Sequence, residues 1–136
     1  MLKPDWTDDQ PIYRQLKNKV TDAILRGVLK EGEALPSVRT VAVDLRINPI
    51  TASKAYQELC AEGLVEKRRG LGMFVKEGAR ARLLEEERRC FLEMEWPKIV
   101  ERIALLGLDV ETLLRKASEL AGRGRDANES QGEMES

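Results

Sequence analysis

Residues 35–75 read LPSVRTVAVDLRINPITASKAYQELCAEGLVEKRRGLGMFV, and the start and stop signals within this stretch decide the fold. Ser37 stands after a proline and before Val38, Val41, Ala42 and Leu45, which recur at helical spacing, so its hydroxyl is placed to cap a short helix. The other face of that helix presents Arg39, Thr40 and Arg46. Asn48 and Pro49 repeat the signal: a capping amide, then a proline in the helical turn where a missing N–H costs nothing. The helix that follows runs to about Glu62, with Ala52, Ala55, Tyr56 and Leu59 inward and Ile50, Thr51, Ser53, Lys54 and Gln57 outward. Small and polar side chains on exposed first turns suit a helix that must approach a DNA groove closely and donate to base edges and phosphates. Tyr56 is read as core rather than as a stacking platform.

Gly63 ends this helix, and LVEKRRGLGMFVK predicts two short strands around a turn at Gly70 to Gly72. Lys67, Arg68 and Arg69 cluster at the tip, where arginine can enter a minor groove or hold phosphates; the plainer alternative is a solvated strand. Upstream, Pro11 opens a helix whose apolar stripe is Ile12, Leu16, Val20 and Ile24, ending near Gly27, and Trp6 packs a polar arm onto the body. Three helices followed by a basic hairpin form the winged variant of helix-turn-helix. The expected fold class is mainly α with a small β-hairpin. A winged helix-turn-helix over residues 1–76 precedes a helical dimerisation segment, 77–121, and a disordered tail, 122–136.

The stretch from LPSVR to GMFV resembles the GntR family of regulators, in its short YtrA-type branch. The resemblance covers roughly residues 10 to 76 closely and the helices to about 121 more loosely. It implies that the arginine of LPSVR, the first turns of the third helix and the glycine-bearing wing contact operator DNA. The matching positions are Arg39, then Asn48, Pro49, Thr51, Ser53 and Lys54, then Arg69, Gly70 and Gly72. This chain departs from the family's usual pattern at Pro49, Ile50 and Met73, so a base preference does not carry over. The resemblance also implies a repressor.

Composition narrows the alternatives. The chain of 136 residues has room for one full core and an appendage, not for a large ligand-binding domain beside a DNA-binding one. It contains no histidine, which removes the usual general base and the commonest nitrogen ligand for metals; neither catalysis nor a metal or other cofactor is expected. Glu85, Glu86 and Glu87 lie beside Arg88 and Arg89 and read as a solvated face, not a carboxylate pair for catalysis. Cys60 and Cys90 are far apart and read as buried free thiols. With no signal-peptide run and no bilayer-length apolar stretch, the expected location is the cytoplasm, without membrane contact. Residues 1–76 carry 13 Lys and Arg against 10 Asp and Glu, and residues 77–136 carry 10 against 14, so a basic front meets an acidic back.

From Ala79 the pattern is strongly helical, with Leu83, Leu84, Phe91, Leu92, Ile99, Val100, Ile103 and Leu106 apolar, Pro97 a kink or restart, and Gly107 a C-cap. Asp109 caps a last helix carrying Val110, Leu113, Leu114, Ala117 and Leu120, expected to fold back on its predecessor. Two such helices cannot bury enough surface alone, so a second copy is the expected partner, through Leu84, Phe91, Ile99, Ile103, Leu106 and Leu113. A two-fold dimer would set two recognition helices about 34 Å apart, one turn of DNA. The function expected is thus a sequence-specific regulator on a palindromic double-stranded operator, with any small-molecule effector left open. The alternative is a winged helix that docks protein without DNA specificity.

Overall fold

A computed structural model gives the fold of residues 2–135, with side chains described for 2–124. Helix α1, Ile12–Leu25, begins where the Pro11 carbonyl accepts the N–H groups of Arg14 and Gln15. Leu16, Val20, Ala23 and Ile24 are buried along it. The sequence put Ile12 on that stripe, but Ile12 is 40% exposed, and Tyr13, one residue on, packs against the core instead. A stripe two turns below does not fix which residue of a first turn leans inward when an aromatic competes for the place.

Helices α2, Val38–Asp44, and α3, Pro49–Ala61, form the helix-turn-helix. Both caps expected from the sequence are made: Ser37 Oγ accepts the Thr40 N–H at 3.1 Å, and Asn48 Oδ1 accepts the Ile50 N–H at 2.8 Å. Between the helices Arg46 adopts φ 55°, a left-handed conformation that costs a residue with a Cβ roughly 1–2 kcal/mol. The turn is closed by Ile47 N–H donating to the Ala42 carbonyl at 3.0 Å.

Strands β1, Val65–Arg68, and β2, Gly72–Val75, pair antiparallel, Val65 opposite Val75 and Arg68 opposite Gly72. Arg69, Gly70 and Leu71 make the turn, with Gly70 at φ 77° where a side chain would be strained. The chain between α1 and α2 adds to the other edge of β2: Gly32 N–H donates to the Val75 carbonyl, Val75 N–H to that of Glu33, and Leu35 N–H to that of Met73. Leu35, Leu64, Val65 and Val75 close the core that α1, α2 and α3 build, so the base of the wing is fixed while its tip projects.

The chain divides into two units, Met1–Arg88 and Arg89–Ser136. The division lies later than the expected residue 76 because α4, Ala79–Cys90, starts inside the first unit. Ala79 is buried, Leu83 packs against the core, and Arg80 Nε donates to the Leu25 carbonyl at 3.0 Å.

In the second unit a π-helical turn, Phe91–Glu95, leads into α5, Trp96–Leu105. Trp96 N–H donates to the Phe91 carbonyl five residues back, and Pro97, which has no N–H to donate, follows at once. Asp109 accepts the Thr112 N–H at 3.2 Å, as expected of a cap for α6, Val110–Glu135. The expected return of this last helix onto its predecessor is not observed: among the described residues α6 makes no extended contact with α5. Neither stripe can satisfy the other, and Phe91, Leu92, Ile99, Leu106, Leu114 and Leu120 all stay 41% exposed or more. Cys90 is exposed, contrary to the buried thiol expected, because it lies among charged neighbours on α4; Cys60 is half-buried. Helix α6 continues through Gly122 and Gly124, past the end expected near Ala121, and the rest of the tail expected to be disordered, 125–136, lies outside the residues described with side chains.

Candidate nucleic-acid interface

Helix α3 has two chemically distinct sides. Ala52, Ala55, Tyr56 and Leu59 are each no more than 2% exposed, which seals one side into the core. At about 100° per residue the opposite side is the stripe Ile50, Ser53, Lys54 and Gln57, with Thr51 beside it. Two small residues at the inward positions, Ala52 and Ala55, let α3 sit close to the neighbouring helices, so the outward stripe stands on a rigid base.

Tyr56 connects α2 and α3. Its hydroxyl donates to the Pro36 carbonyl at 2.7 Å, immediately before the Ser37 cap of α2, and burial pushes its phenol well above the usual tyrosine range. The start of α2 is therefore held in register with the middle of α3. Arg39 is exposed on the first turn of α2, and among the described residues it makes no ion pair, so its guanidinium is available to a phosphate or a base.

Lys54 is held by an aromatic ring: its Nζ lies 3.9 Å from the centroid of Tyr13, at the start of α1. A cation over a tyrosine face is attracted by the ring quadrupole, which narrows the range of positions of a flexible lysine. The acids of α3 sit at its other end, where Lys17 of α1 contacts Glu62 at 2.6 Å and Glu58 at 3.5 Å. The hydrogen bond that the Lys17 ammonium donates to Glu62 holds it above its ordinary pKa, partly offset by burial. Negative charge is thus gathered at the C-terminal end of α3, partly balanced by Lys17, away from the exposed N-terminal turns.

In the wing, Arg68 is engaged within the chain. Its guanidinium stacks on the Phe74 ring at 4.3 Å and meets Glu66 at 3.1 Å. Arg69 is exposed in the turn, next to Gly70, Leu71 and Gly72, and makes no ion pair among the described residues. Of the two tip arginines named from the sequence, Arg69 is the one left to reach outward. The sequence placed Asn48, Pro49, Thr51, Ser53 and Lys54 together, and they do share the first turns of α3. Tyr13 escaped that reading; the only sign of it was an aromatic one position off the α1 stripe. The helical segments named for dimerisation carry Leu84, Phe91, Ile99, Ile103, Leu106 and Leu113, each partly or largely exposed. No helix among the described residues is long and apolar enough to cross a membrane.

This geometry has clear relatives. The repressor YtrA of Bacillus subtilis is 41% identical over 85 residues, 62% of this chain, and the match spans 65% of YtrA's length. The HTH-type transcriptional regulator YhcF of Bacillus subtilis is 33% identical over 105 residues, 77% of this chain and 85% of that protein. Among solved structures, a transcriptional regulator from Oenococcus oeni superposes with a TM-score of 0.68 at 27% identity, covering 85% of this chain and 95% of its own. The sequence profile of the bacterial regulatory proteins of the gntR family matches residues 12–75, from the first residue of α1 to the last of β2. With the winged helix-turn-helix, the profile and a regulator matched over most of its length in agreement, this chain belongs to the GntR family of DNA-binding transcriptional regulators, which are not enzymes.

Proposed function

We propose that the protein is a cytoplasmic repressor that binds a palindromic operator as a homodimer. The observation that carries this reading is α3: a helix sealed on one side by Ala52, Ala55, Tyr56 and Leu59 and offering Ser53, Lys54 and Gln57 on the other. In this reading α3 lies in the major groove with Asn48, Pro49 and Thr51 at the closest approach. Arg39 and Lys54 hold phosphate or base edges, and the wing presents Arg69, Gly70 and Gly72, with Arg68 behind, to the adjoining backbone or minor groove. Two-fold pairing is supported by the second unit, where α5 and α6 contain, among the residues described with side chains, no buried residue to account for their apolar stripes. Pairing through Phe91, Ile99, Ile103, Leu106 and Leu113 would cover them, and Leu84, in the first unit, is proposed as a separate contact. Repression is the activity for which YtrA is named.

Arg39→Ala and Lys54→Ala, measured against an operator selected by the wild-type protein, should each weaken binding by about 1–3 kcal/mol without changing the melting temperature. A phosphate contact from Lys54 should lower the salt dependence of binding, whereas loss of a base contact at Arg39 should relax sequence preference. Unchanged affinity in both variants would overturn this docking mode.

A further inference from the structure

Exposed apolar side chains scattered over a surface are ordinary. Ile50 is a different case because of where it sits. It is 78% exposed, the second residue of α3, and its backbone N–H is fixed by Asn48 Oδ1 at 2.8 Å. On the helix circumference it shares the outward stripe with Ser53, Lys54 and Gln57, diametrically opposite the core residues Ala52 and Leu59. Pro49 ahead of it is compact and lacks a donor, so the branched side chain of Ile50 is the foremost bulky group on that turn. A hydrocarbon at the leading end of a reading helix can recognise one feature of the major groove, the C5-methyl of thymine, since the other base edges there are hydrogen-bond donors or acceptors.

We propose that Ile50 is a specificity-determining residue that packs against a thymine C5-methyl in each half of the operator. The inference rests on the docking of α3 in the major groove proposed above and adds to it which base is read, and by which atoms. A β-branched side chain with its backbone N–H already bonded has little freedom to lose on contact, so the methyl-to-isoleucine burial is felt nearly in full. Burial of one methyl group corresponds to about a fourfold change in affinity.

The test uses the full-length protein and an operator enriched from a random duplex library. Each thymine is replaced in turn by deoxyuridine, which keeps the base pair and removes only the C5-methyl. At one symmetry-related position per half-site, wild type should lose about fourfold in affinity per half-site contacted. Ile50→Ala should bind the thymine and deoxyuridine duplexes equally, and Ile50→Val should retain part of the difference. Ile50→Asn, which carries the side chain suited to adenine, should shift the enriched base at that position. An enriched operator in which no thymine methyl is felt by wild type and ignored by Ile50→Ala overturns the role of Ile50 while leaving the docking of α3 to the Arg39 and Lys54 variants. Failure of the wild-type protein to enrich any sequence overturns both.

Discussion

Replacing Tyr56 by phenylalanine removes one oxygen from the join between α2 and α3, and the structure gives the consequence a distinctive pH signature. The side chain is 2% exposed, and its hydroxyl is the partner of the Pro36 carbonyl at 2.7 Å. Deleting it leaves a carbonyl without that donor, at a cost of about 1–3 kcal/mol near neutral pH. The same burial raises the phenol above its ordinary value of 10.0. In the unfolded chain Tyr56 ionises near pH 10, whereas in the folded chain it stays neutral to higher pH, so above about pH 10 the unfolded state holds fewer protons. Wild-type stability is therefore fully present below pH 10 and falls above it, by about 1.4 kcal/mol for each pH unit until the folded group itself titrates. Tyr56→Phe lacks this contribution. Urea unfolding of both proteins from pH 7 to 11 should show the variant less stable at pH 7 and the gap narrowing by about 1.4 kcal/mol at pH 11. A gap that stays constant across that range, or no gap at pH 7, would refute the buried, hydrogen-bonded role assigned to Tyr56.

Two further outcomes are expected. Tyr13→Leu should weaken operator binding several-fold by releasing Lys54, Tyr13→Phe should restore it because the ring face is kept, and combining Tyr13→Leu with Lys54→Ala should add little to the lysine change alone in operator titrations. A fragment of residues 1–88 should fold as a monomer with weak operator affinity by sedimentation and titration, whereas a fragment ending at Lys76 should melt lower, because it lacks the buried Ala79, the Leu83 contact and the Arg80 bond to Leu25.

The first unit was legible because its signals are local. Ser37 and Asn48 announce caps by residue type and spacing, and both form; Gly63 and the Gly70 turn mark the ends of α3 and β1. The inward and outward sides of α3 follow from the helical period alone. What the sequence did not disclose depends on pairs that only the folded chain brings together: Tyr13 with Lys54, Arg68 with Phe74 across the hairpin, and Ala79 with the core it completes. Arg46 carries no sign at all of its left-handed backbone, because the position where glycine would have marked the turn is held by an arginine.

The second unit shows a subtler failure of period counting. Read at 3.6 residues per turn, Phe91 is followed on its own side by Glu95, and Pro97 suggests a kink or a restart, the second of which is what α5 makes. The π-helical turn changes the count: with Trp96 N–H bonded to the Phe91 carbonyl, the residue below Phe91 is Trp96, and the two rings lie 6.4 Å apart. From Trp96 the ordinary period resumes through Ile99, Val100 and Ile103, so one wide turn realigns two apolar stretches that a regular helix would set on different sides. Exposure follows the new register. Phe91, Trp96 and Ile99 lie between 39% and 42%, while Leu92, Met94 and Leu105, off the stripe, reach 62% to 85%. A side that is aligned over three turns and still half exposed is a surface shaped for contact, and in the proposed dimer its centre is the Phe91 and Trp96 pair. Its register is set by the wide turn ahead of Pro97, whose place the linear pattern marks as a kink or restart without giving the change of count.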